Sequence, residues 1–320
     1  MAVLGTAATL LVAIALLQAD LPAATRVFTQ ADAGWVGGGV ILMTTGLVFL
    51  AARWRSLMPT TTPIALLPLT AILVTGTLMN YALPGPVGEF VAAGMAARRW
   101  HLPPEQTFAA GIHARFVGLA MAGFAALLLF AMADLPVPDA YRTWIGGAAV
   151  FIAVGAVALF LLSANPRLLR WGARVCLGLS IWPRRVADPL LARLEGFADA
   201  LAAVGHLGAK RYATAALWAL GGHACVTGGI AMAAIGLGSA PSLAGLVFTY
   251  AMTTAGAVVL FAFPGSQVGW DAMFSTLLVA TAGLPLQNAI GVAVIVRTQQ
   301  LVVVMLGALA LVLAPSEPQR

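Results

Sequence analysis

Charged residues are scarce in this chain of 320 residues: they make up 9% of it, against about 25% in a soluble domain. Hydrophobic residues account for 61%. This composition excludes a water-soluble globular protein, a disordered chain and a coiled coil. Only two cysteines are present, Cys176 and Cys225, and neither belongs to a zinc or disulfide motif. The composition therefore predicts a single integral membrane domain, residues 1–320, of the all-α class.

Motifs for nucleotide, metal or serine chemistry are also absent from the sequence. The single lysine, Lys210, lies in no phosphate-binding loop, and the sequence has neither a zinc-protease motif nor a serine-hydrolase elbow. We therefore expect no enzymatic activity, no cofactor and no metal site.

Long apolar runs dominate what is present. Eight are long enough to form a helix that crosses a bilayer, at residues 2–19, 34–52, 64–83, 108–133, 144–163, 212–236, 243–263 and 286–313. Two shorter apolar segments, residues 84–97 and 266–282, each lie at a Pro-Gly pair. Because such a pair interrupts a helix, we predict two short helices, broken or re-entrant, in addition to about eight spans.

Basic residues concentrate in residues 164–211, which join the two halves of the chain. The formal net charge of the chain is +6, and most of this excess lies in the joining segment. Basic loops stay in the cytoplasm and are attracted to the anionic inner leaflet, so the charge predicts lipid contact and no nucleic-acid partner. Leu190, Leu194 and Leu201 recur at helical spacing. This spacing predicts either an amphipathic helix on the cytoplasmic surface or a helix connecting two halves of a bundle.

The shorter basic loops predict the orientation of the chain. Arg53 with Arg55, and Arg98 with Arg99, follow apolar runs and should face the cytoplasm. Alternation of the spans then places the N-terminus in the cytoplasm as well.

The two halves of the chain share a pattern of polar residues. In each half a Pro-Gly pair is followed by an acidic residue, a Leu-Pro pair and an arginine inside an apolar run. Glu89 precedes Arg115 by 26 residues, and Asp271 precedes Arg297 by 26 residues. The predicted repeat halves are about residues 34–133 and 212–314. Because the predicted orientation brings the chain to the two Pro-Gly pairs from opposite sides, the repeat is inverted, as in secondary transporters.

Polar residues around the two Pro-Gly pairs form the candidate substrate site. A charged side chain at the bilayer centre costs roughly 2.5–3.5 kcal/mol, so the charged residues must pair, line a polar cavity, or do both. The helix starts after the breaks also expose backbone N–H donors, which suit an anion. The candidate substrate-binding residues are Arg115, Arg297, Glu89, Asp271, Asn80, Gly85, Gly88, Gly265 and Gly269. Two interpretations stay open, structural ion pairs within each half or a lining for the substrate path.

The sequence resembles the lysylphosphatidylglycerol synthase transmembrane-region family. The resemblance rests on Arg53 at the end of the second span, Asn80, Pro84-Gly85, Gly88-Glu89, Pro264-Gly265 with a following acid, and Arg297. It implies translocation or handling of lipid in a bacterial inner membrane, and one branch of the family is associated with hopanoid biosynthesis. Asp271 stands where the family commonly has Glu, which leaves the role of Asp271 open. No aminoacyl-transfer domain follows the last span, so we expect no transfer of lysine to lipid.

The leading hypothesis is an inner-membrane flippase or transporter for an anionic or polyisoprenoid-type lipid. Arg115 and Arg297 would neutralise a head group bound at the interface of the repeats. The alternatives are a non-catalytic accessory membrane protein of lipid biosynthesis, for example of hopanoids, and a membrane-embedded lipid-modifying transferase.

Overall fold

The computed structural model describes residues 29–82, 87–137, 139–163, 165–178, 184–260 and 266–313. Within these ranges all regular secondary structure is α-helical. The helices are α1 (Ala33–Ser56), α2 (Leu66–Ala82), α3 (Val87–Trp100), α4 (Pro104–Met132), α5 (Asp139–Ser163), α6 (Pro166–Gly178), α7 (Arg184–Gly205), α8 (Ala209–Gly236), α9 (Leu243–Leu260), α10 (Ser266–Ala282) and α11 (Leu286–Leu313). The prediction of a polytopic, all-α membrane protein is confirmed.

The described helices correspond to the predicted apolar runs. Five of them, α1, α4, α5, α8 and α11, are long and apolar enough to cross a bilayer. Two shorter apolar helices, α2 and α9, cover two further predicted spans. The first predicted span, residues 2–19, lies outside the described residues. The two short segments form short helices as predicted, α3 with 14 residues and α10 with 17.

The basic segment between the halves forms two helices that pair with each other. Arg170 and Arg174 of α6 form ion pairs with Asp199 and Glu195 of α7. The apolar face of α7 packs against α4, and Leu201 on this face is buried. α7 is therefore a connecting helix that packs onto the bundle, the second of the two alternatives drawn from its spacing.

Helices α1 and α8 cross closely at two pairs of glycines. A Cβ atom added at Gly39 would lie 2.6 Å from the Gly229 carbonyl oxygen, and one added at Gly229 would lie 2.6 Å from the Gly39 oxygen. Seven residues from this point on each helix, Gly46 lies against Gly222. Small residues allow such an approach inside a membrane, where packing rather than the hydrophobic effect holds helices together. The helices that open the two halves therefore form the centre of the bundle.

The other helices surround this central pair in a pattern that recurs in both halves. α2 packs against α3 and against α11 of the other half, while α9 packs against α10 and against α4. One apolar core lies where α1 ends and contains Leu57 and Met58, and another lies where α8 ends and contains Phe274 and Leu278. An inverted repeat would pack in this way, and the repeat itself stays a prediction.

The glycine crossing can be tested by adding one methyl group. We expect Gly39→Ala to lower the free energy of unfolding by about 1–3 kcal/mol, because the new Cβ meets a carbonyl oxygen that can move only with α8. Gly37→Ala on the same helix is the matched control, since no atom lies within 4 Å of its new Cβ. The measurement is thermal unfolding in detergent. Equal stability of the two variants would show that the crossing tolerates a side chain.

Candidate functional site

A cavity of about 120 Å³ lies between α1, α2, α3 and α4. Most of its wall is apolar or built from small residues, but four polar side chains also line it. These are Arg53 from α1, Asn80 from α2, Glu89 from α3 and Arg115 from α4. The volume admits several water molecules or one group of the size of a phosphate.

The close approach of α2 to α3 forms one wall of the cavity. A Cβ added at Gly76 would lie 2.6 Å from the Gly88 carbonyl oxygen, so both positions suit only glycine. The backbone N–H of Gly88 donates a hydrogen bond of 2.7 Å to the Asn80 side-chain oxygen. This N–H is one of the donors expected to face an anion, and in the structure Asn80 occupies it. The two residues therefore join the start of α3 to α2.

Glu89 and Arg115 form an ion pair across the cavity, from α3 to α4. Arg115 lies eleven residues after Pro104, which begins α4, and therefore about 17 Å along that helix. This distance is about half the thickness of the hydrocarbon core. The Arg115 side chain is 42% exposed and the Glu89 side chain 23%. Arg115 thus lies at the mouth of the cavity, deep in the membrane.

Arg53 reaches from the end of α1 back into the bundle. Its neighbour Trp54 lies against Gly111 of α4, whereas the Arg53 guanidinium lies against Gly118, about 10 Å further along the same helix. The direction follows from helix geometry, because side chains tilt towards the N-terminus of their helix. An arginine at a helix end usually extends to the membrane surface instead.

The guanidinium of Arg53 is buried without a partner among the described residues. The residue is 9% exposed, its Nε has no hydrogen-bond partner, and none of the ion pairs in that part of the chain involves it. The sequence prediction treated Arg53 as an orientation signal and did not include it in the site. One signal could have placed it there: Arg53 continues the seven-residue spacing of Gly39 and Gly46, which face the bundle interior.

The second half holds a comparable ion pair. Arg297 of α11 donates from Nε to the Asp271 carboxylate of α10 at 2.8 Å, and from Nη1 to the Gln300 side-chain oxygen at 2.5 Å. Its guanidinium also lies 5.1 Å from the centre of the Trp270 ring. Arg297 is eleven residues from the start of α11, the same helical distance as for Arg115. The side chains of Arg297 and Asp271 are 16% and 14% exposed, so this pair is more buried than the first.

The structure therefore brings some of the predicted site residues together and separates others. Asn80, Gly88, Glu89 and Arg115 line one cavity, whose wall includes neither Asp271 nor Arg297. Gly269 is exposed on α10. Gly85 and Gly265 lie outside the described residues.

Other polar residues inside the bundle join helices to one another. His113 of α4 contacts the Leu201 carbonyl oxygen and the Tyr212 hydroxyl. Asn288 donates to the Leu237 carbonyl oxygen, and Gln299 donates to Thr44. These residues hold the helices around the site and do not line the cavity.

The fold and the site define a polytopic helical membrane protein with acid–arginine pairs at membrane depth. The family model described as lysylphosphatidylglycerol synthase TM region matches residues 2–308. The chain belongs to this family, as its motifs predicted. Searches of curated proteins and of solved structures gave no match. Family membership indicates a function related to membrane lipids.

The two ion pairs should differ in their contribution to stability. Breaking a buried pair on one side typically costs about 3–5 kcal/mol, because the remaining charge stays buried. We expect Asp271→Asn to approach this cost and Glu89→Gln to cost less, since Arg115 can reach its exposed side. The measurement is thermal unfolding in detergent.

The matching double variants provide the control for this comparison. Asp271→Asn with Arg297→Gln should recover much of the loss, because no charge is left unpaired. A double variant that loses the sum of the two single losses would show that the residues are not coupled.

Proposed function

We propose that this protein is a translocator of a lipid with an anionic head group in a bacterial inner membrane. The observation that carries the proposal is the cavity at membrane depth whose charged side chains are two arginines and one glutamate, Arg53, Arg115 and Glu89. A charged head group faces a large solvation barrier in hydrocarbon, and a polar cavity lowers that barrier. The lipid tails stay in the bilayer throughout.

The Glu89–Arg115 pair supports a resting state without substrate. With the cavity empty, Glu89 neutralises Arg115 and keeps the α3–α4 contact intact. An arriving anion competes with Glu89 for the Arg115 guanidinium, which is accessible from the surface of α4. Binding of the head group therefore has a direct means to loosen α3, the short helix that follows the first Pro-Gly pair. The protein acts in this scheme without chemical change of the lipid and is not an enzyme.

The Asp271–Arg297 pair is proposed to serve the same head group from the second half. It occupies the equivalent depth on α11, and its arginine also contacts Gln300 and Trp270. In an inverted repeat, two such sites open to opposite sides of the membrane in turn. Arg115 would then receive the head group from one leaflet, and Arg297 would receive it on the way to the other.

A transport assay tests this proposal directly. In vesicles with a fluorescent anionic phospholipid and a quencher outside, Arg115→Gln and Arg297→Gln should each slow exchange about tenfold or more, because a charge-assisted hydrogen bond is lost. Arg115→Lys and Arg297→Lys should retain part of the rate, since the charge remains without the planar fork.

Arg142→Gln is the matched control for this assay, because Arg142 is exposed at the start of α5 and lines no cavity. It should exchange lipid at the wild-type rate. Full exchange by a properly inserted double variant, Arg115→Gln with Arg297→Gln, would contradict the head-group role. An inert wild-type protein would favour the accessory function, and a covalently altered lipid would favour a transferase.

The proposed orientation has its own test. In a background without Cys176 and Cys225, we expect Arg185→Cys to react with a membrane-impermeant maleimide only after the cells are opened, because its loop is basic. Asp134→Cys, on the exposed segment between α4 and α5, should react in intact cells. Reversed labelling would place the basic segment outside and contradict the proposed direction of both halves.

A further inference from the structure

Arg53 is the charged group in the cavity that the Glu89–Arg115 pair does not neutralise. It is buried, and its Nε has no hydrogen-bond partner. The other ionisable side chains that act on it electrostatically are Tyr250 of α9, Arg115 of α4 and His223 of α8, and none of these is a carboxylate. A buried cation without a counter-ion opposes folding, so an anion that enters the cavity would remove a large penalty.

The position of the Arg53 guanidinium is set by a glycine. A Cβ added at Gly118 would overlap the Nη1 atom of Arg53, so the side chain lies directly on the α4 backbone at that point. The carbonyl oxygen of the same glycine accepts a hydrogen bond from His223 at 3.0 Å. Gly118 therefore provides a surface on which the planar guanidinium rests while it lines the cavity.

The charge balance of the cavity selects the class of anion. Two arginines and one glutamate leave a net charge of +1 when Glu89 is ionised. A monoanion therefore completes the balance, whereas a dianion exceeds it. Guanidinium groups bind phosphate oxygens two at a time, and the tetrahedral phosphate offers oxygens in several directions to arginines on different helices.

We infer that Arg53 anchors a monoanionic phosphodiester in this cavity, with Arg115 as its second contact once Glu89 releases it. The phosphodiester is that of a lipid, because the cavity mouth at Arg115 and the exposed Phe90 lie on the membrane-facing side of short apolar helices. For the lipid nature of the ligand the inference rests on the proposed function. It adds the residue that binds the head group and the charge that the head group carries.

The first test is stability without ligand. In a phosphate-free maltoside detergent we expect Arg53→Met to unfold at a higher temperature than the wild type, since a buried unpaired charge is replaced by an apolar chain. Arg55→Met, two residues along α1 and outside the cavity, should not show this gain. A lower unfolding temperature for Arg53→Met would show that Arg53 is satisfied within the fold and would overturn the inference.

The second test is binding, measured by calorimetry in the same detergent. The probes are dihexanoylphosphatidic acid and its methyl ester, which differ in one methyl group and, at pH 8, in one charge. The wild type should bind the methyl ester more tightly than the acid, and more tightly than octanoate or inorganic phosphate. Stronger binding of the acid would overturn the charge balance, and equal binding of octanoate or of inorganic phosphate would overturn the assignment to a lipid phosphodiester.

Variants then assign the binding to Arg53. Arg53→Gln should weaken binding of the methyl ester by about tenfold or more, as expected for a lost charge-assisted hydrogen bond, and Arg53→Lys by less. Gly118→Ala keeps every charge but displaces the guanidinium, so it should weaken binding as well. Arg55→Gln should bind as the wild type does. Unchanged affinity in Arg53→Gln would refute the site.

The two proposals fail in different ways. If the chain binds the methyl ester through Arg53 but exchanges no lipid in vesicles, the site stands and translocation is refuted. If Arg53→Gln exchanges lipid at the wild-type rate, the site is refuted and translocation stands.

Discussion

The close crossing of α1 and α8 is the contact on which the rest of the bundle depends. Because Gly39 and Gly229 carry no side chains, the two backbones meet directly, and the same face of α1 is held against the bundle along its length. Arg53 lies on that face, two heptads after Gly39. The crossing therefore turns Arg53 inward, and the absence of a side chain at Gly118 leaves room for its guanidinium on α4.

The interior charges of this protein follow one physical rule with one exception. Inside a membrane a charge is tolerated when a partner neutralises it, and both acids of the repeat pattern pair with the arginine 26 residues later. Arg53 departs from the rule in the part of the chain described by the structure. Proteins keep unfavourable groups where function requires them, which is why the exception is more informative than the pairs.

Several features of the fold could be predicted from the sequence because they depend on local properties. The bounds of α11 and α10 match the predicted runs, since a segment in lipid must satisfy its own backbone hydrogen bonds and apolar length alone decides where it does so. The two ion pairs could be predicted because unpaired charges are costly, and each pair was suggested by one spacing. The role of Asn80 differed from the prediction, because its side chain caps the start of α3 and does not face the cavity as a free ligand.

The sequence by itself determined the class of protein, the helical spans, the two short helices and the acid–arginine pairs, because hydrophobic length and charge cost act on each segment separately. The tertiary structure alone decided which charges share a cavity. An arginine at a helix end can extend to the surface or into the bundle, and the choice depends on the neighbouring helix, here on Gly118 of α4. The burial of α7 was likewise decided by α4, because an apolar stripe packs equally well on lipid or on protein until a partner is present.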